Sequence, residues 1–142
     1  MRIAIASDHA ALALKAALAD YVREKGHDVA DLGPHDESSV DYPDYGYKLA
    51  DAVATGTADR GIALCGSGIG ISIAVNRNPA ARAALVSEPL SAKLAREHND
   101  ANVIAMGARL IGIEMAKACV DAFLATDFGG DRHQRRVDKL SN

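Results

Sequence analysis

Five short apolar runs, each followed by a stretch with helical hydrophobic spacing, constrain this chain more than any other feature. Arg2 to Ala6 reads as a buried first strand that ends at Ser7-Asp8-His9. The periodicity then predicts a helix over Ala10 to Lys25, with Leu14, Leu18, Tyr21 and Val22 on one face and Gly26 as its stop. His27 to Leu32 is a second, weaker strand, ended by Gly33-Pro34, and a polar loop runs from His35 to Pro43. The next helix spans about Tyr42 to Thr55, with Leu49, Ala50 and Val53 inward, and Gly61 to Leu64 is the third strand. After a glycine-rich turn, a helix fades at Asn76-Arg77-Asn78-Pro79. Arg82 to Val86 is a fourth strand, Ser87 is placed to cap a helix over Glu88 to Glu97, and His98-Asn99-Asp100 reads as its break. Asn102 to Met106 is a fifth strand closed by Gly107, and Ile111 to Thr126 is a long amphipathic helix.

Apolar strands alternating with amphipathic helices imply an α/β protein: a three-layer αβα Rossmann-like fold with a five-stranded parallel sheet and right-handed crossovers. No linker or internal repeat divides the 142 residues. One domain is expected, with the polar tail from Asp127 to Asn142 docking on it or on a partner subunit. A net charge of -3, few aromatics and no tryptophan offer nucleic acid neither a basic surface nor a stacking platform. The apolar start meets Ser7-Asp8-His9 too soon for a signal peptide or membrane span. Cys65 and Cys119 make no disulfide framework, so a cytoplasmic, reducing location is expected. No group of His, Cys, Asp and Glu has metal-ligand spacing, so no metal site is expected.

Ligands in such folds sit beyond the carboxyl ends of the strands, which singles out Asp8-His9, Cys65, Ser87-Glu88 and Arg109. The third strand runs into Cys65-Gly66-Ser67-Gly68-Ile69-Gly70-Ile71-Ser72. A strand-to-helix turn of this kind aims backbone N–H groups at the space beyond the sheet and favours negative charge there. The run fits neither the dinucleotide fingerprint nor the P-loop: the last glycine of the first pattern falls on Ile71 or Ile73, and no Lys-Ser/Thr follows. A cysteine at its head is either a small core residue or a base and nucleophile. His9 reads as a surface cap or, from its place at the functional end of the sheet, a catalyst. His98-Asn99-Asp100, taken alone, is chain punctuation; its other reading is a general acid/base. Arg132, Arg135 and Arg136 suit a phosphate if the tail docks, although helical spacing does not choose the pair. Cys119, between Ala118 and Val120, reads as core packing.

Taken in order, Ser7-Asp8-His9-Ala10, Asp41-Tyr42-Pro43, the Cys65 to Ser72 run, Ser87-Glu88-Pro89, His98-Asn99-Asp100 and Arg132-His133-Gln134 resemble the ribose/galactose sugar-phosphate isomerase family, in its type B ribose-5-phosphate isomerase branch. The resemblance runs nearly end to end. It implies a cofactor-independent aldose–ketose isomerase that interconverts ribose 5-phosphate and ribulose 5-phosphate. It further implies Cys65 as the base, His98 as the ring-opening group and Ser67 as the third catalytic residue. Gly66, Ser67, Gly68, Ile69 and Gly70 would hold the enediolate oxygen. Asp8, His9 and Asn99 would contact the sugar, and Arg109, Arg132 and Arg136 the phosphate. A homodimer or homotetramer with sites shared between chains is implied as well. Two departures stand out. Ser67 replaces the threonine common in the family, and Ala10-Ala11 follows Asp8-His9 where a glycine is usual. Relatives that act on allose or galactose 6-phosphate keep a six-carbon substrate open as an alternative, as is a non-catalytic phosphosugar-binding subunit.

Overall fold

The structure, a computed structural model, describes residues 1–141; Asn142, the end of the expected tail, lies outside the described residues. Five strands form: β1 (Arg2–Ser7), β2 (Asp28–Asp31), β3 (Arg60–Cys65), β4 (Ala83–Leu85) and β5 (Val103–Gly107). All pairings are parallel, in the order β2-β1-β3-β5-β4. The helices are α1 (Leu12–Glu24), α2 (Tyr42–Ala54), α3 (Ile69–Val75), α4 (Pro89–Asn99), α5 (Ile113–Ala125) and α6 (Arg132–Asp138). Short 3-10 turns, His9–Ala11 and Lys139–Ser141, precede α1 and follow α6. The chain turns one way from β1 to β2 and the other way from β3 onward. The switch point therefore falls between β1 and β3, and it places Asp8 and Cys65 side by side.

Strand alternation divides the core into two unequal halves. Ile3, Ile5, Ile62, Leu64, Ile104 and Met106 point to one face, where α1, α4 and α5 cover them with Leu18, Ala92, Val120 and Phe123. Each such large apolar side chain, fully buried, contributes about 1.5–3 kcal/mol. The other face is built from Ala4, Ala6, Ala63 and Ala105, and their small size lets α2 and α3 approach closely with Leu49, Ile71 and Val75. The exposed edge of β4 is blunted from within: Ala83 N–H donates to Asn76 Oδ1 (2.8 Å), and Asn76 Nδ2 donates to Ala83 O (2.9 Å).

Helices α1 and α5 start two residues later than the sequence expectation, and both ends of α4 differ from it. Ser87 is not the cap of α4. Glu88 is, its carboxylate accepting from Ser91 N–H at 2.9 and 3.1 Å, because Pro89 occupies the first helical position and the longer side chain reaches over it. His98 and Asn99 do not break the helix. They form its last turn, and Asp100, in the left-handed region with φ +46°, ends it. Arg82 and Arg96 hold the Asp100 carboxylate at 3.2 and 2.9 Å.

Cys119 lies in the core under α5, fully buried. Burial first, and the charge of Glu88 second, push its thiol from the ordinary 9.0 up to about 11. An unfolded chain gives up this proton at lower pH than the folded one, so the contribution is complete below pH 9 and is lost as pH rises toward 11. We expect urea denaturation of Cys119→Ala to show a weaker alkaline loss of stability than the parent chain. The difference should be on the order of 2 kcal/mol. Identical alkaline slopes would contradict this origin.

Candidate active site

Cys65 is the last residue of β3, and its side chain faces the α2/α3 side of the sheet. Only 5% of it is exposed, yet it lines an open cleft of about 520 Å³ together with Asp8, Ser67, Gly70, Arg109 and Tyr42. The glycine turn folds back over the sulfur, and Gly68 N–H donates to Cys65 Sγ at 3.1 Å. That turn requires glycine at 68. Its φ is +78°, and a Cβ there would meet the Met106 carbonyl carbon at 2.7 Å and Leu85 Cδ1 at 2.8 Å. Ser67 Oγ accepts from Ile69 N–H (3.2 Å), which leaves the hydroxyl proton free to be donated into the cleft. The N–H groups of Gly66, Ser67 and Gly70 have no partner among the described residues and are available to an anion. The N–H groups of Gly68 and Ile69 are already engaged by the thiol and by the Ser67 hydroxyl.

Neighbouring strands bring in the rest of this cluster. Asp8 N–H donates to Leu64 O (3.1 Å), which fixes Asp8 against the exit of β3. Its Oδ1 accepts from Ala10 N–H (3.0 Å) as the cap of the 3-10 turn. Past β5, Ala108 N–H donates to Cys65 O (2.9 Å) and Arg109 N–H to Gly66 O (3.0 Å), so the exposed guanidinium of Arg109 stands over Gly66. His9 lies beside Asp8 at the rim, and its Nδ1 accepts from Val40 N–H at 3.1 Å. This bond places the proton of a neutral His9 on Nε2. Tyr42 joins the site although the sequence does not mark it as a site residue. Its ring lies over Gly70, where a Cβ would meet Tyr42 Cε1 at 2.5 Å, and it forms one wall of the cleft. The only trace of it in the sequence is the Asp41-Tyr42-Pro43 triplet.

Four of the expected site residues lie elsewhere in the chain. Helix α4 starts near the carboxyl ends of the strands and runs back along the sheet. From Pro89 to His98 that carries the chain about 14 Å away from the cleft end. Asn99 lines a separate groove of about 400 Å³ with Arg82, Ala101 and Leu140, at the amino end of β4 and β5. The tail docks on the same helix end: Gly129 N–H donates to Glu97 O (2.9 Å), Val137 is buried, and the His133 ring stacks on His98 with centroids 4.6 Å apart and planes 15° from parallel. His98, Asn99, Arg132 and Arg136 are thus gathered into a second cluster at the opposite end of the sheet.

Fold and site together define a Rossmann-like α/β protein with a thiol and an anion cradle at the switch point of its sheet. Residues 3–140 match the family model described as Ribose/Galactose Isomerase. Ribose-5-phosphate isomerase B of Escherichia coli K12 is 45% identical over 140 residues, covering 99% of this chain and 94% of the relative. D-erythrulose-4-phosphate isomerase of Pectobacterium atrosepticum is 43% identical over 142 residues, with 99% and 93% covered. The solved structure of Clostridium thermocellum ribose-5-phosphate isomerase B superposes with a TM-score of 0.98 at 48% identity, covering 99% of this chain and 95% of that one. The chain belongs to the ribose/galactose isomerase family. No described helix is long and apolar enough to cross a membrane.

Proposed function

We propose that this chain interconverts D-ribose 5-phosphate and D-ribulose 5-phosphate through an enediolate, with Cys65 as the base. The observation that carries this reading is the Cys65 sulfur on an open cleft, with Gly68 N–H 3.1 Å away and Asp8, Ser67 and Arg109 around it. Cys65 takes the C2 proton of the open aldose, and the C2–H electron pair moves to give an enediolate with charge on O1. The free N–H groups of the glycine turn oppose that build-up of charge, a contribution of about 3–4 kcal/mol per donor in comparable sites. The Ser67 hydroxyl carries a proton from O2 to O1, and the thiol returns its proton to C1. This is acid–base chemistry throughout and calls on no metal or organic cofactor. Asp8 and His9 bind the sugar hydroxyls, and Arg109 holds the phosphate remote from the reacting carbons.

The second cluster is supplied by a neighbouring copy. His98 of one chain protonates the furanose ring oxygen bound at the partner's cleft, Asn99 contacts the sugar, and Arg132 and Arg136 close on its phosphate. Two features support this. The second cluster cannot serve the cleft of its own chain, from which the length of α4 separates it. The cleft also carries exposed apolar side chains, Ile69 (49%) and Leu110 (68%), and the adjoining hollow adds Leu85 (47%), a surface suited to cover by a second copy. Residues 1–142 act as one domain, with the tail from Asp127 serving to hold Arg132 and Arg136.

The family description includes galactose, and one relative is named for a four-carbon phosphate, so chain length is the open variable of the site. In deuterated solvent, purified protein is expected to incorporate deuterium at C1 of ribulose 5-phosphate and to convert ribose 5-phosphate more efficiently than four- or six-carbon phosphates. Absence of exchange on every phosphosugar would overturn the enzymatic reading, and a preference for six carbons would move it to the alternative substrate.

A further inference from the structure

We propose that His133 is a positioning residue for His98: its ring, laid flat against the His98 imidazole, sets the direction in which His98 meets a sugar ring oxygen. This rests on the ring-opening role proposed for His98. The geometry is specific. The two rings are 4.6 Å apart at 15°, and His98 has 41% of its side chain exposed and is therefore held mainly from one side. His98 makes no side-chain hydrogen bond among the described residues; its nearest charged neighbour is Glu97, at 4.0 Å from Nε2. The stack is thus the main restraint on its ring.

The surroundings keep His133 suited to this task. Helix α4 presents Glu97 and His98 to it, and its own helix α6 adds Arg132 and Arg136. Partial burial, then the charges of Arg132, His98 and Arg136, hold the His133 imidazole below its ordinary value against the opposing pull of Glu97. At neutral pH a neutral ring therefore lies on His98, with no like-charge repulsion to open the stack. Because Gly129 is tied to Glu97 and Val137 is buried, His133 is presented on a docked tail. The ring-opening group and the two arginines then travel as one preassembled unit to whatever site they serve.

Ribose 5-phosphate closes into a furanose, whereas ribulose 5-phosphate has no free hydroxyl placed to close that ring, since its O5 carries the phosphate. Isomerisation of the first needs ring opening; hydrogen exchange at C1 of the second does not. His133→Ala should lower the turnover of ribose 5-phosphate about tenfold while leaving C1 exchange of ribulose 5-phosphate within about twofold. His133→Phe, which keeps a flat ring, should restore most of that loss. In the free protein, the ring-current shift of the His98 carbon-bound protons should vanish in His133→Ala and persist in His133→Phe. Equal losses on both substrates, no rescue by phenylalanine, or unchanged His98 resonances would overturn the inference. His98→Asn is the control. If it too affects both substrates equally, the ring-opening role itself falls; if it is selective and His133→Ala is not, only the positioning role falls.

Discussion

Cys65→Ala is expected to abolish isomerisation in both directions, with turnover lowered by about 10³-fold or more, while a phosphosugar still binds within about threefold of the parent affinity. Alanine removes the sulfur and, with it, the acceptor of the Gly68 N–H (3.1 Å); the rest of the turn, the φ of Gly68 and its close approach to Met106 and Leu85, does not depend on the thiol. In the proposed site, binding is carried by other groups. Arg109 stands over Gly66, the N–H groups of Gly66, Ser67 and Gly70 remain free, and Asp8 is held by Leu64 and Ala10. A base acts only on the proton in flight, so its removal is felt in turnover rather than in ground-state affinity. Steady-state kinetics and calorimetric titration with ribulose 5-phosphate measure the two terms separately. Retained turnover would remove Cys65 from the reaction. Loss of binding in parallel with turnover would instead make the sulfur a structural part of the turn.

Much of the fold was legible because the physics that sets it is local. Each strand is a short apolar run and each helix an amphipathic one, so element type and order follow from spacing alone. Strand order is not local: nothing in Val103–Gly107 announces that β5 inserts between β3 and β4, since the placement depends on how α4 and α5 share one face of the sheet. The expectation of Ser87 as the α4 cap failed for the same kind of reason. Both residues can accept from a helix N-terminus, and Pro89 decides between them only once the chain direction is fixed. Lys15 was also beyond sequence reasoning. It lies 3% exposed on the inner side of α1, and its ammonium donates to both Asp31 carboxylate oxygens (2.6 and 2.8 Å) and to Pro34 O (2.8 Å), a pairing visible only in three dimensions.

In the site, the residues that follow strands were placed well by topology: Asp8 after β1, Cys65 ending β3 and Arg109 after β5 all reach one cleft. The separation of His98 was available from the same logic. A helix that begins at the carboxyl end of a parallel strand must run back toward the amino end, so residues in its last turn cannot face a ligand at its start. Tyr42 left little trace because its position depends on the missing side chain of Gly70, across which its ring lies.

That separation gives the largest gain of activity to be expected from any pair of variants. In the proposed mechanism Cys65→Ala lacks the base and His98→Asn lacks the ring-opening group, so each homodimer should be nearly inactive on ribose 5-phosphate. In a two-fold dimer whose sites each draw Cys65 from one chain and His98 from the other, a mixed dimer has one doubly defective site and one intact site. Random re-assortment makes half of the dimers mixed, so an equimolar mixture, unfolded and refolded together, should recover about a quarter of the parent activity. Were both groups drawn from a single chain, each site would carry one defect whatever the pairing, and mixing would restore nothing. The prediction is insensitive to further assembly into tetramers, because only the pair that shares a site counts. It also separates a shared site from a merely dimeric protein, which sedimentation alone does not. A mixture no more active than its components would place His98 outside the partner's cleft, and the second cluster would then require another explanation.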